Sequence, residues 1–163
     1  MTALIKDLSL QTDPWTKKLE LDSPEELKGM KQVIIPLSFW KKNQSSLKDR
    51  ADLGVYLDSH DEVEDIGEDA HHFPVIVINF PRFADGRGYS LARLLRDRYS
   101  YKGEIRAVGD VLQDQLFYMN RCGFNAFEVR SDRDATQAIN GLKAFTEVYQ
   151  DAADLKRPLY RRR

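Results

Sequence analysis

The sequence predicts a single α/β domain of about five mainly parallel strands alternating with helices. Short apolar runs recur at residues 33–37, 53–57, 75–80, 105–108 and 126–129. Helical spacing separates them, and strands joined through a helix lie parallel with right-handed crossovers. The run Val75–Phe80 (VIVINF) is apolar on both faces, as a central parallel strand requires. Two architectures satisfy this order: an open three-layer sheet, or an incomplete (β/α) barrel, because a full barrel typically takes ~250 residues.

Residues 1–30 read as an N-terminal extension, 31–152 as the core and 153–163 as a basic tail. In the extension, LIKDLSL and TKKLELD alternate apolar and polar residues, which predicts short edge strands around the Asp13-Pro14 turn. The core opens with the strand at Val33-Ile34-Ile35, before Phe39-Trp40. A short helix is expected over Ser45–Asp52 and a strand over Leu53–Leu57. Ser59 with Glu62 forms a capping box for a helix through about Asp69. After the strand opened by Pro74, a helix is expected from Ser90 to Tyr99. It places Leu91, Leu94, Leu95 and Tyr99 opposite Arg93, Arg96 and Asp97. Gly103 breaks it before the strand Ile105–Val108. Asp110 with Gln113 caps a helix over Val111–Cys122, which Gly123 stops. The strand Ala126–Val129 and a helix after Ser131-Asp132 complete the order. The tail, with Lys156, Arg157, Arg161, Arg162 and Arg163, reads as a disordered end, with partner docking as the alternative.

Composition narrows the classes. A 42% hydrophobic and 31% charged chain is ordinary for a globular protein. A net charge of −1 gives no bulk drive toward nucleic acid or membrane surfaces. No apolar run approaches a membrane span, and MTALIKDLSL lacks a signal-peptide core. The lone Cys122 excludes an internal disulfide and argues against a thiolate zinc or iron–sulfur site. A cytoplasmic setting is the expectation.

Polar groups gather just after the strands, where parallel sheets place their sites. Arg82, Asp85, Gly86, Arg87, Gly88 and Ser90 lie in a glycine-rich strand-to-helix turn suited to an anion such as sulfate or phosphate. The turn has neither the P-loop nor the dinucleotide spacing. Its structural alternative is an Asp85–Arg87 pair with glycines that only shape the turn. Asn79, Arg106, Asp110, Gln113 and Asp58 complete the candidate ligand-binding set. Arg106 within a strand is expected either to be buried and paired or to line a site. Asp58-x-His60 is too small a fragment to define a metal site, and none is expected. His71, His72 and Cys122 read as structural, and Phe39 and Trp40 as core.

The strings FPVIVINFPRFADGRGYSLARLLRDR (73–98), GEIRAVGDVLQDQLFYMNRCGFNAFEV (103–129) and AFTEVYQDA (144–152) resemble a bacterial family of uncharacterised proteins. DPW (13–15), VIIPLSFW (33–40) and LGVYLDSHDEVEDI (53–66) extend the resemblance over nearly the whole chain. Members are often labelled probable oxidoreductases, and their genes commonly sit beside those for assimilatory sulfite or nitrite reductase. The resemblance supplies no catalytic residues. It implies an accessory protein of sulfur metabolism, an adaptor or electron-transfer partner of that reductase. The alternative is a small oxidoreductase or other enzyme acting on an anionic substrate at the strand C-terminal ends. A flavin fits such a sheet, though nothing in the sequence requires one. Two open sheet edges would also favour a homodimer.

Overall fold

The computed structural model describes residues 4–130, 132, 134–143 and 145–162. Its strands are β1 (Leu4–Lys6), β2 (Ser9–Gln11), β3 (Thr16–Lys17), β4 (Val33–Pro36), β5 (Leu53–Leu57), β6 (Val75–Phe80), β7 (Glu104–Gly109) and β8 (Ala126–Glu128). They form one sheet in the order β2-β1-β8-β7-β6-β5-β4-β3. The stretch from β3 to β8 is parallel, while β1 pairs antiparallel with β8 and with β2. The five core strands stand where the apolar runs predicted them. The count of five is corrected to eight, because the N-terminal extension contributes three more.

Those three strands supply both sheet edges. Asp7 and Leu8, with φ of 52° and 58°, turn the chain from β1 into β2. A two-residue turn with positive φ at both positions matches the right-handed twist of a hairpin. At the other edge β3 pairs over only two residues. Short edges present few unpaired backbone groups, which weakens the incentive for two copies to join through them.

The helices are α1 (Leu37–Leu47), α2 (Val63–Ile66), α3 (Arg87–Asp97), α4 (Leu116–Cys122) and α5 (Ala135–Leu142). All five contribute side chains to one apolar cluster, which also takes Val33, Ile35, Val55, Ile76, Ile78, Phe80, Ile105 and Phe127 from the strands. Strand side chains alternate between faces, so these residues mark a single helix-covered face. The opposite face carries a small cluster of Ile34, Val75, Val77 and Val108, with Trp15 and Tyr56 packed against it. No helix covers that face among the described residues, so the three-layer alternative is not formed.

The sheet is curled. Lys17 on β3 and Glu128 on β8 are separated by four intervening strands, a span of ~24 Å in a flat sheet. Their side chains nevertheless meet at 2.5 Å. The segment from β2 to β3 crosses the concavity this creates. It brings Asp13 to Arg106 and Trp15 onto the small apolar cluster.

Several local expectations are corrected. The helix placed at 45–52 instead begins at Leu37, where Pro36 in extended backbone (ψ 145°) turns the chain directly out of β4. Ser59 does not cap; Asp65 accepts from the Glu62 N–H at the start of α2, which passes into a 3₁₀ turn through His72. Asp110 and Gln113 do not cap either. Gln115 accepts from the Leu112 N–H and starts a 3₁₀ turn that leads into α4. Gly123 ends α4 with φ 119°, as expected. The tail expected to be disordered is held to the body through Asp154, Lys156 and Arg162, which pair with Arg121, Asp97 and Glu147.

Candidate functional site

The inner face of the curled sheet carries charge at its centre. Glu104 and Arg106 alternate on β7 and therefore point the same way. Arg106 is 0% exposed. Its Nε donates to Glu104 Oε1 at 2.9 Å and its Nη1 to Asp13 Oδ2 at 2.6 Å. Lys6 reaches the other Glu104 oxygen at 2.7 Å. Arg106 Nη2 lies 2.8 Å from Glu104 Oε1, yet its direction gives it no hydrogen bond. Burying one guanidinium is costly, and two carboxylates offset the penalty. Of the two expectations for Arg106, buried and paired is the one formed.

Toward the strand C-terminal ends, Asn79 donates to Asp58 Oδ1 at 3.1 Å. Burial works against the Asp58 anion. The Asn79 and Ser59 N–H bonds outweigh it and hold the carboxyl below its usual range. Tyr56 is half-buried beside them. Burial first, then the Asp58 and Glu128 charges, push its hydroxyl up to about 12. His60 lies 3.8 Å from Asp58 and 3.9 Å from Asp61. No group of three metal-ligating side chains occurs among the described residues.

Asp110 follows β7. It accepts from the Phe83 N–H at 2.8 Å and from Arg130 at 2.9 Å, and these two bonds keep its pKa low. Gly109 enforces this turn, with φ +94° and Asn79 Oδ1 only 2.7 Å from where a Cβ would sit. Asn79, Pro81, Gly109, Asp110 and Arg130 line an open cleft of about 430 Å³ at these strand ends.

In the glycine-rich turn, Asp85 accepts from Arg87 at 2.6 and 2.9 Å and from the Arg87 N–H at 3.2 Å. The Arg87 guanidinium pulls Asp85 down to about 2. An intramolecular carboxylate thus already sits at the start of α3, and an external anion would have to compete with it. Arg87 also donates to Ser59 Oγ at 3.1 Å. Gly88 is a packing residue, since a Cβ there would meet Phe80 Cζ at 2.6 Å. Arg82, Gly86 and Ser90 are exposed, and Gln113 packs against Gly141 of α5. The predicted set therefore divides: Asp58, Asn79, Asp85 and Arg87 meet through Ser59, Asp110 lines the neighbouring cleft, Arg106 is sealed inside, and Ser90 and Gln113 lie elsewhere.

The sequence reading missed Asp13, Lys6, Glu104, Glu128 and Arg130. It also missed an exposed aromatic surface. Tyr118, Phe145, Tyr149 and Tyr160 are 61–66% exposed. Three adjoining clefts of about 490, 660 and 710 Å³ connect them. The first two share Phe117 and Tyr118, and the last two share Gln150 and Asp151. Cys122 lies in the middle cleft, and burial pushes its thiol pKa up, consistent with an inert thiol.

No described helix is long and apolar enough to cross a membrane. Searches of curated proteins and of solved structures return no significant match. The model of a bacterial family, described as "Bacterial protein of unknown function (DUF934)", matches residues 54–160. With the match spanning β5 to the C-terminal segment, the chain belongs to this family.

Proposed function

We propose that this is a cytoplasmic accessory protein that works by docking on an enzyme, with an assimilatory sulfite or nitrite reductase as the partner. The observation that carries the reading is the exposed aromatic surface along α4 and the C-terminal segment. Four exposed aromatic side chains joined by clefts with a polar and charged rim have the make-up of a protein interface. The charged groups at the strand ends, in contrast, are largely neutralised by one another: Asp85 by Arg87, Asp110 by Arg130. The resemblance to proteins encoded beside the reductase selects the partner. Sedimentation velocity of the purified protein with purified reductase tests the proposal. A complex at micromolar concentration supports it; two independent boundaries overturn it.

A second reading has one observation in its favour. The helices lie on one face of a curled parallel sheet, which we read as an incomplete (β/α) barrel, and such folds work at the strand C-terminal ends. There Asn79, Asp110 and Arg130 border the 430 Å³ cleft. An enzyme on an anionic substrate would use that cleft, with or without a flavin. A yellow purified protein, or turnover lost in Arg130→Ala, would favour it over docking. Growth of a deletion strain on sulfate, sulfite or sulfide locates the affected step under either reading.

A further inference from the structure

The aromatic surface has a cationic end, and the two together specify what it would bind. The clefts run from Phe117, Tyr118 and Phe145 to Tyr149, Arg157 and Arg161. The Phe117 and Phe145 rings meet at 4.9 Å, tilted by 56°, at the apolar end. Residues 155–162 carry four cations and no carboxylate. Lys156 and Arg162 are paired with Asp97 and Glu147. Arg157 and Arg161 have no carboxylate partner among the described residues. Arg161 lies instead over the Tyr160 ring at 5.6 Å.

From this we infer that the surface is a docking groove for an acidic, extended protein segment carrying an aromatic or aliphatic anchor. Resting on the docking function proposed above, this names the chemistry of the partner. The anchor sits between Phe117, Tyr118 and Leu94, and the acidic residues reach Arg157 and Arg161. Exposed Tyr and Arg in this combination match the residues that dominate protein interfaces. Together the three adjoining clefts are longer than a single small oxyanion would fill, and the two nearer Phe117 and Phe145 are mainly apolar. Asp151 stands where the two larger clefts meet, so the bound segment presents backbone N–H groups there and keeps its acidic residues at Arg157 and Arg161, a spacing that a uniformly charged nucleic-acid backbone cannot adopt.

The test uses a fluorescein-labelled synthetic peptide of Asp and Glu flanking a Leu-Phe pair, and a control with Lys in place of the acids. Anisotropy should show the acidic peptide binding to the full chain and the basic one not. The double variant Arg157→Glu/Arg161→Glu and the single variant Tyr118→Ala should each weaken binding about tenfold or more, with melting temperatures unchanged because all three residues are on the surface. Equal affinity for both peptides, or for wild type and double variant, overturns the inference. So does a dimer abolished by Tyr118→Ala, which would make a second copy the occupant, or single-stranded RNA binding in the peptide's place. Reductase binding separates the two proposals. A complex insensitive to Arg157→Glu/Arg161→Glu removes this inference alone, while peptide binding without a reductase complex removes only the choice of partner.

Discussion

Replacing Arg106 with leucine should be among the most damaging single changes in the molecule. The guanidinium is 0% exposed and holds Asp13 and Glu104, which retain 20% and 9% exposure. Removing one partner of a buried pair costs about 3–5 kcal/mol. Glu104 keeps Lys6, and Asp13 can turn toward water, so the lower end, about 3 kcal/mol, is expected. At about 2–4 °C per kcal/mol for a chain of this size, melting should fall by roughly 10 °C. Losing the Asp13 anchor should also loosen the segment that crosses the concavity. Trp15, one of two tryptophans, would then emit at longer wavelength. The double variant Asp13→Leu/Arg106→Leu leaves fewer unpaired charges and should recover part of the loss. Calorimetric melting with fluorescence decides it. A fall of less than about 2 °C in Arg106→Leu, roughly 1 kcal/mol or below, would refute the view that this cluster ties the N-terminal segment to the sheet.

Gly109→Ala should cost about 2–3 kcal/mol by urea unfolding, because alanine meets Asn79 and adopts φ +94° poorly; an unchanged midpoint would contradict the tight turn. The Asp85 carboxyl should titrate near pH 2 by NMR and move back toward 3.8 in Arg87→Ala. Its folded pKa is depressed, so any stabilisation is present above pH 3.8 and lost as pH falls toward 2; a midpoint near 3.8 in wild type would show the pair does not form in solution. Tyr56 should ionise only near pH 12, followed at the tyrosinate absorbance with Tyr56→Phe as control. Because the unfolded hydroxyl ionises first, near 10, Tyr56 should lower stability progressively as pH rises from 10 to 12; ionisation of Tyr56 at pH 10 would contradict its half-buried place beside Asp58 and Glu128.

The parallel core was legible because strands buried on both faces leave continuous apolar runs, and VIVINF is the clearest. The hairpin of β1 and β2 was harder, since Asp7-Leu8 carries no glycine or asparagine to announce a two-residue turn. Two caps were misassigned because Ser59–Glu62 and Asp110–Gln113 fit the spacing of a reciprocal box, whereas the bonds that formed run one way, from the Glu62 N–H to Asp65 and from the Leu112 N–H to Gln115. Local pattern cannot rank overlapping boxes. At the site, Asp58 and Asp110 followed from position just after a strand, and Asn79 from being the polar residue near the end of β6. The Arg106 cluster left one signal, the period-two spacing of Glu104 and Arg106, but its other partners lie 93 and 98 residues away. The exposed aromatics were invisible for a different reason: Tyr118, Phe145 and Tyr149 are residue types that a sequence pattern assigns to the core.

Hydrogen exchange on the protein with and without purified sulfite or nitrite reductase tests the docking account most directly. Protection on complex formation should fall on α3, α4 and residues 145–161, leaving the strand ends at Asp58, Asn79 and Asp110 unchanged. Protection at those strand ends, with the aromatic surface still exchanging at its unbound rate, would contradict it.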